Sequence, residues 1–331
     1  MSESIYVFSS GEIKRKQNTI YFEDKDGNKK YLPIENIREI HFLGEITLNK
    51  DFLEYITQKE IILHFYNYYG YYVGSYYPRE HYNSGYMILK QAEHYLDNSK
   101  RLALAKKFVE GAYKNILKVL NYYHKRETNL ETHIKKIMSL SEKINMCERI
   151  DELMAIEGNI RETYYDAFNE IIENEDFKFD TRTKRPPENM INTLISFGNS
   201  LIYTYILSEI YKTHLDPRIG FLHTTNFRRF SLNLDIAEIF KPIIVDRVIF
   251  NIVNKNMISK KDFEEKLGGL YLKDSGRKIF IDKIEEKLKT TVEYKKIGKS
   301  ISYRRLIRLE LYKLEKHLIG EEEYEPLVAE W

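Results

Sequence analysis

The sequence predicts an α+β multidomain protein: an N-terminal β-sandwich-like domain followed by a larger all-α domain. Three observations carry this. Over roughly the first 80 residues, apolar and aromatic side chains come in short runs broken by turn residues, the signature of strands. From about residue 85 the apolar period changes from two to 3.6, the signature of amphipathic helices. With 331 residues, 43% of them apolar, the chain is long enough for two cores. The boundary predicted from the change of period divides it into 1–84 and 85–331.

In order along the chain, Ser4 to Phe8, Thr19 to Phe22 and Lys30 to Leu32 read as strands, with Asp26-Gly27 as a hairpin turn before the third. Ile37 to Phe42 and Ile61 to Tyr66 follow as strands, with a short helix near Asp51 to Thr57 between them. Gly70 and Gly74 punctuate a Tyr-rich ribbon from Tyr66 to Tyr77. Helices are predicted over roughly 85–96, 98–125, 129–145, 148–173 and 188–213, then over 232–254, 277–289 and 301–318. Pro186-Pro187 marks a stop and restart, because proline suits a first helical turn but not an interior. No internal repeat is visible. The tail from Glu321 to Trp331, acidic and then apolar, carries no functional reading.

Composition narrows the class. A single cysteine, Cys147, rules out an internal disulfide and suits a reducing, cytoplasmic setting. The N-terminus lacks a charged-then-apolar signal pattern. The most apolar stretch, Leu194 to Tyr211, is interrupted by Ser, Gly, Asn, Thr and Glu, so it reads as a core helix and not a membrane span. Net charge is only +2, which does not announce a nucleic-acid binder. Local charge does so better: eight Lys or Arg against two Glu between Lys295 and His317, a second cluster at Arg182, Lys184 and Arg185, and the pair Arg228-Arg229. Such clusters neutralise phosphates, although any one of them also fits a solvated helix face.

Four residues stand out as chemistry: Glu157, His223, Asp235 and Glu238. Glu157 falls on the apolar stripe Ile150, Leu153, Met154, Ile160, Tyr164, Phe168 and Ile171, where a carboxylate needs a cation or a partner. Gly158 follows it, at a cost to the helix of about 1 kcal/mol relative to alanine, and leaves room for close approach. Asp235 and Glu238 are three apart and share a helix face, opposite Ile236, Ile239, Phe240 and Ile243. Pro242 cannot donate to the Glu238 carbonyl, so the helix is expected to kink beside the acids. His223, alone of nine histidines, precedes such a pair. Between these elements Asn192, Ser196, Asn199 and Tyr203 form a polar stripe that either lines a cleft or faces solvent.

The segments IEGNIRETYYDAF (156–168), RPPENMINTLISFGNSLIYT (185–204), LDPRIGFLH (215–223) and RRFSLNLDIAEIFKPIIVDR (228–247) resemble, in order and spacing, the motifs of the CRISPR-associated protein 1 family, the integrase of CRISPR spacer acquisition. FSSGEIKRKQNTIYF and YYVGSYYPRE resemble its β domain, so the likeness spans the chain. The resemblance implies a homodimer formed mainly through the N-terminal half, and two such dimers bridged by a dimer of CRISPR-associated protein 2. It implies Glu157, His223 and Glu238 as metal ligands, with Asp235 catalytic but beside the metal. Glu238 stands where some relatives have Asp.

Three functions are consistent with these residues. In the first, the protein is a metal-dependent DNA integrase and endonuclease using Mg²⁺ or Mn²⁺, in which the 3′-hydroxyl of a short duplex (the prespacer) attacks the CRISPR repeat by transesterification. No phosphate-binding G-x-x-x-x-G-K-[ST] loop is present, in keeping with an exchange of like bonds. Candidate DNA contacts are Arg185, Asn192, Arg228, Arg229, Lys295, Lys296, Arg304, Arg305 and Arg308. In the second, the same ligands activate water and the protein is a nuclease on branched or single-stranded DNA. In the third, the acids are merely paired with Lys and Arg in a non-catalytic DNA-binding scaffold.

Overall fold

The computed structural model describes residues 3–79, 82, 84–126, 128–178, 181–184, 186–224, 230–266, 268–294 and 298–330. The chain divides into two compact units, Met1–Asn83 and Ser84–Trp331.

The first unit is built from β1 (Glu3–Val7), β2 (Gly11–Lys16), β3 (Thr19–Asp24), β4 (Lys29–Leu32), β5 (Ile37–Phe42), β6 (Ile46–Leu48), α1 (Lys50–Gln58), β7 (Ile62–Tyr66) and β8 (Tyr72–Tyr76). They form two four-stranded sheets, ordered β1-β5-β7-β8 and β4-β3-β2-β6. β1, β5 and β7 run parallel, and β8 closes the sheet antiparallel to β7. The β3–β4 turn is the expected one: Gly27 has φ 81° and the Asp24 carboxylate accepts from the Asp26 and Asn28 amides at 3.0 and 2.9 Å. Alternation puts Ile13, Ile20, Leu32, Ile40, Phe42 and Leu63, from both sheets, into one apolar cluster with Phe52, Tyr55 and Ile56 of α1. The opposite face of the first sheet is different. It is buried and polar, carrying Glu39, His41 and His64.

The second unit contains α2 (Gly85–Leu96), α3 (Asn98–His124), α4 (Glu131–Glu142), α5 (Ile150–Asp166), α6 (Phe168–Ile171), α7 (Met190–Ile210), α8 (Leu232–Phe240) and α9 (Arg247–Asn254). Then come β9 (Phe263–Lys266), β10 (Gly269–Leu272), α10 (Asp274–Lys289), β11 (Thr291–Tyr294), β12 (Lys299–Ser302) and α11 (Tyr303–Leu318). The two short hairpins, β9–β10 and β11–β12, are additions to the expected all-helical reading. α7 is capped by Asn189, whose side chain accepts from the Asn192 amide, and is buried almost all round. That is the pattern of a central helix, so its polar stripe is not an ordinary solvated face.

The expected disturbance at Pro242 takes the form of a π-turn over Pro242–Asp246, closed by the Asp246 amide donating to the Lys241 carbonyl at 3.0 Å. Asn115 of α3 then donates to the Ile239 carbonyl at 2.9 Å. Asn115 also anchors the C-terminal tail, donating to the Leu327 carbonyl and accepting from the Ala329 amide. Tyr324 is buried and its hydroxyl donates to Glu310 of α11. The tail is therefore anchored to the helical core through Tyr324, Leu327 and Ala329.

Candidate active site

Asp235 organises the site. It lies one turn into α8, fully buried. One carboxylate oxygen accepts from the Phe221 and Leu222 amides at 2.5 and 3.1 Å; the other accepts from the His223 amide at 2.9 Å and meets the His223 ring Nδ1 at 2.8 Å. One side chain thus folds the 221–223 backbone and fixes the imidazole. With Nδ1–H given to a carboxylate, Nε2 is left as the acceptor or ligand atom, the arrangement that second-shell carboxylates impose on metal-binding histidines. Burial disfavours protonating His223, but the Asp235 hydrogen bond and charge outweigh it and the ring is pushed up from its ordinary value.

Glu157, on α5, and Glu238, one turn after Asp235 on α8, are joined by Arg161. The Arg161 guanidinium contacts Glu238 Oε2 closely and lies 3.4 Å from Glu157 Oε1. Lys241 Nζ is 2.5 Å from the other Glu238 oxygen and 5.0 Å from the centre of the Tyr203 ring. The two carboxylates respond in opposite directions. Burial pushes Glu157 up, the nearby Glu238 charge adds to this, and Arg161 opposes it. Burial would raise Glu238 too, but Lys241 and Arg161 prevail and hold it at about 2. Behind them Asp246 is pushed up to about 7 by burial. Glu157 and His223 keep 24% and 30% of their side-chain surface open, against 6% for Glu238, so the first two face whatever approaches and the third sits at the floor.

By donor type, two carboxylates and an imidazole nitrogen fit a divalent cation. Their ligand atoms do not all lie within 4.8 Å of one another, and Arg161 stands between the two acids.

Arg161 and Lys241 are the particular Arg and Lys behind the pairing that the third reading expects of the acids. Both lie at helical spacing from the acids they hold, four after Glu157 and three after Glu238, which is the signal that could have found them. Met154, placed on the apolar stripe by spacing, is instead 40% exposed. The helix is rotated so that Leu153, Ile160, Thr163 and Tyr164 form its buried side, and Glu157 lies at the edge of that face.

Two of the expected DNA contacts are taken up inside the fold. Asn192 is fully buried; its amide donates to the Thr181 carbonyl and Thr183 hydroxyl, and its oxygen accepts from Arg182. Arg304 is buried against Glu285 at 2.9 Å and the Tyr205 ring at 5.0 Å. Arg308 is largely covered and paired with Glu209. Arg305 faces solvent. Arg185, Arg228, Arg229, Lys295 and Lys296 lie outside the described residues.

A β unit followed by a helical unit that gathers two carboxylates and an imidazole is a class of protein with solved members. The chain superposes, over 98% of its length and 100% of the other, on the structure of a Cas1 protein from Thermotoga maritima, with a TM-score of 0.89 at 50% identity. A casposase bound to integration product gives a TM-score of 0.88 at 21% identity, covering 98% of this chain and 93% of that one, and so shares the fold. In sequence, the CRISPR-associated endonuclease Cas1 2 of Thermodesulfovibrio yellowstonii is 61% identical over 331 residues, all of both chains. The CRISPR-associated endonuclease Cas1 of Thermotoga maritima is 52% identical over 320 residues, 97% of this chain and 98% of that one. The family model for CRISPR associated protein Cas1 matches residues 5–286. The chain belongs to the Cas1 family.

Proposed function

We propose that this protein is a metal-dependent DNA integrase and endonuclease of CRISPR adaptation, joining the 3′-hydroxyl ends of short duplexes into a CRISPR repeat. The observation that carries the reading is the division of labour among the acids. Asp235 is spent on backbone amides and on orienting His223, while Glu238 stays ionised in a buried position and Glu157 faces outward. The pairing of Glu157 and Glu238 with Arg161 and Lys241 is what a non-catalytic scaffold would also show; the imidazole oriented beside them by a buried carboxylate favours the catalytic reading.

Glu157, Glu238 and Nε2 of His223 would hold Mg²⁺ or Mn²⁺, which supplies charge stabilisation at the reacting phosphorus. Asp235 keeps the imidazole in the tautomer that presents Nε2. Arg161 and Lys241 keep Glu238 deprotonated, and Glu157, more open, is the ligand that meets an incoming phosphate first. Exposed Arg305, with Arg185, Arg228, Arg229, Lys295 and Lys296, supplies phosphate contacts that weaken as salt rises. The partners in this reading are double-stranded DNA, a second copy of the chain through residues 1–84, and a dimer of the small partner Cas2. A structural neighbour described as a Cas6-RT-Cas1–Cas2 complex shares this fold at 17% identity over 36% of its own chain.

A labelled duplex and a supercoiled repeat-bearing plasmid, incubated with the protein and Cas2 in Mn²⁺ or in EDTA, test the reading. Label joined to plasmid only with metal, and lost in His223→Ala, is the expected result. The names of the relatives as endonucleases favour a second reading, hydrolysis by the same groups; shortened label without joining would decide for it. Joining that survives Glu157→Ala, His223→Ala or Glu238→Ala removes that residue from the ligand set.

A further inference from the structure

We propose that the first unit carries a second metal centre, separate from the acids of the helical unit: a structural Zn²⁺-type ion held by Glu39, His41 and His64. Glu39 and His41 are two apart on β5 and so share a face, and His64 on β7 stands directly opposite His41 in the parallel register. All three are fully buried. Among the described residues, this is the one group of three or more such side chains whose ligand atoms all lie within 4.8 Å of one another.

The distances favour coordination. Each Glu39 oxygen faces a different imidazole: Oε1 is 3.6 Å from His41 Nε2 and Oε2 is 3.7 Å from His64 Nε2. These exceed the roughly 2.7–3.2 Å of a hydrogen bond from nitrogen to oxygen. Two ligands each about 2.0–2.1 Å from a tetrahedral ion stand roughly 3.4 Å apart, close to what is found.

The surrounding groups point the same way. His41 Nδ1 is 2.9 Å from the Tyr66 hydroxyl and His64 Nδ1 is 2.7 Å from Ser75 Oγ. Both rings are therefore held from behind with Nε2 turned to the carboxylate. Ser4 Oγ donates to Glu39 at 2.6 Å, and Tyr6 stacks on His41 at 4.5 Å. Hydroxyls that hold the far side of each imidazole and of the carboxylate orient them as metal ligands are oriented. Tyr6, His41, His64 and Ser75 make one continuous row across all four strands, so the ion would pin β5 to β7 at the middle of the sheet. An ion this deeply enclosed enters as the unit folds, and its binding stabilises the fold.

The test uses the full chain with Glu157, His223 and Glu238 all changed to alanine, which removes the helical-unit site as a source of metal. Purified from Zn²⁺-supplemented cells and dialysed natively against EDTA, this protein is expected to retain about one equivalent of zinc by elemental analysis, reduced at least tenfold by His41→Asn/His64→Asn. X-ray absorption on the retained zinc should fit two imidazoles and a carboxylate. Because the double variant could fail to fold, a second measurement uses the triple-alanine protein alone. It is unfolded in guanidinium with EDTA, then refolded with or without ZnCl₂; zinc should raise the melting temperature. Absence of retained zinc together with equal melting temperatures overturns the proposal, and leaves Glu39 as the partner of a charged imidazole. Retained zinc that is unchanged in a folded double variant overturns it as well.

Discussion

At the scale of single residues, the decisive fact is that Asp235 serves four donors with two oxygens. An asparagine there has one acceptor oxygen and turns an NH₂ against backbone amides. Asp235→Asn should lower stability by roughly 1–3 kcal/mol, more than His223→Ala, which takes away one of the four donors, and should abolish joining as fully. Melting curves and joining assays on the same preparations check this; an active Asp235→Asn would remove its orienting role. Asp246 gives a pH-dependent counterpart. Its folded pKa, pushed up to about 7 by burial, lies above the unfolded value near 3.9. The folded state therefore binds the extra proton; that contribution is full below about pH 4 and is lost as pH rises through about 7. Asp246→Asn should thus melt above the parent at about pH 8 by an amount on the order of 1–4 kcal/mol in stability, and the gap should close toward about pH 5. Scanning fluorimetry at the two pH values reads it, and a gap that widens on acidification would contradict the assignment.

At the scale of elements, Gly158 sits exposed on α5 next to Glu157, and a Cβ there would meet nothing within 4 Å. The chain itself does not require glycine. Gly158→Ala should raise stability by about 1 kcal/mol. If DNA approaches α5 at this point, the same change should slow joining about tenfold through misplacement of the reacting groups, and equal joining rates would place the substrate elsewhere. The elements also show what the sequence could disclose. Long helices with a steady 3.6 period, such as α3 and α7, and the apolar strands β5 and β7 were readable because burial repeats along them. β2 was not, since GEIKRK carries only one buried residue, Ile13. β9 to β12, four residues each, are too short for alternation to register. The acids of the candidate site were visible as a motif, but their pairing was not. Arg161 reaches Glu238 across 77 positions, and the grip of Asp235 on residues 221–223 depends on the fold bringing a loop over the start of α8.

For the molecule as a whole, the C-terminal tail is a strap across the helical unit. It crosses α3 at Gly111, where a Cβ would come within 2.6 Å of the Pro326 side chain, and it satisfies Asn115 and Glu310, both buried. A chain ending at Gly320 would take the tail's hydrogen bonds from those polar groups, leaving Asn115 on the Ile239 carbonyl and Glu310 on Lys313, and would empty the buried sites of Tyr324, Leu327 and Ala329. The loss should be at least about 3 kcal/mol, seen as a clear drop in the calorimetric melting temperature of the shortened chain below that of the full one, whereas an unchanged melt would make the strap dispensable. Among the described residues no helix is long and apolar enough to cross a membrane.

The strap also bears on how the protein is made. Asn115 pairs with residues 212 and 214 positions further along, so it waits for them during synthesis. At roughly 5–20 residues per second, a nascent chain spends on the order of 10–40 seconds with α3 emerged and its anchor still unsynthesised. The helical unit can complete its core only once Leu327 and Ala329 have emerged, while every strand of the first unit has by then long been available to pair. A ribosome that stalls before Tyr324 would leave a protein whose β unit is finished and whose candidate active site stands on an open core, a product that quality-control proteases are suited to remove.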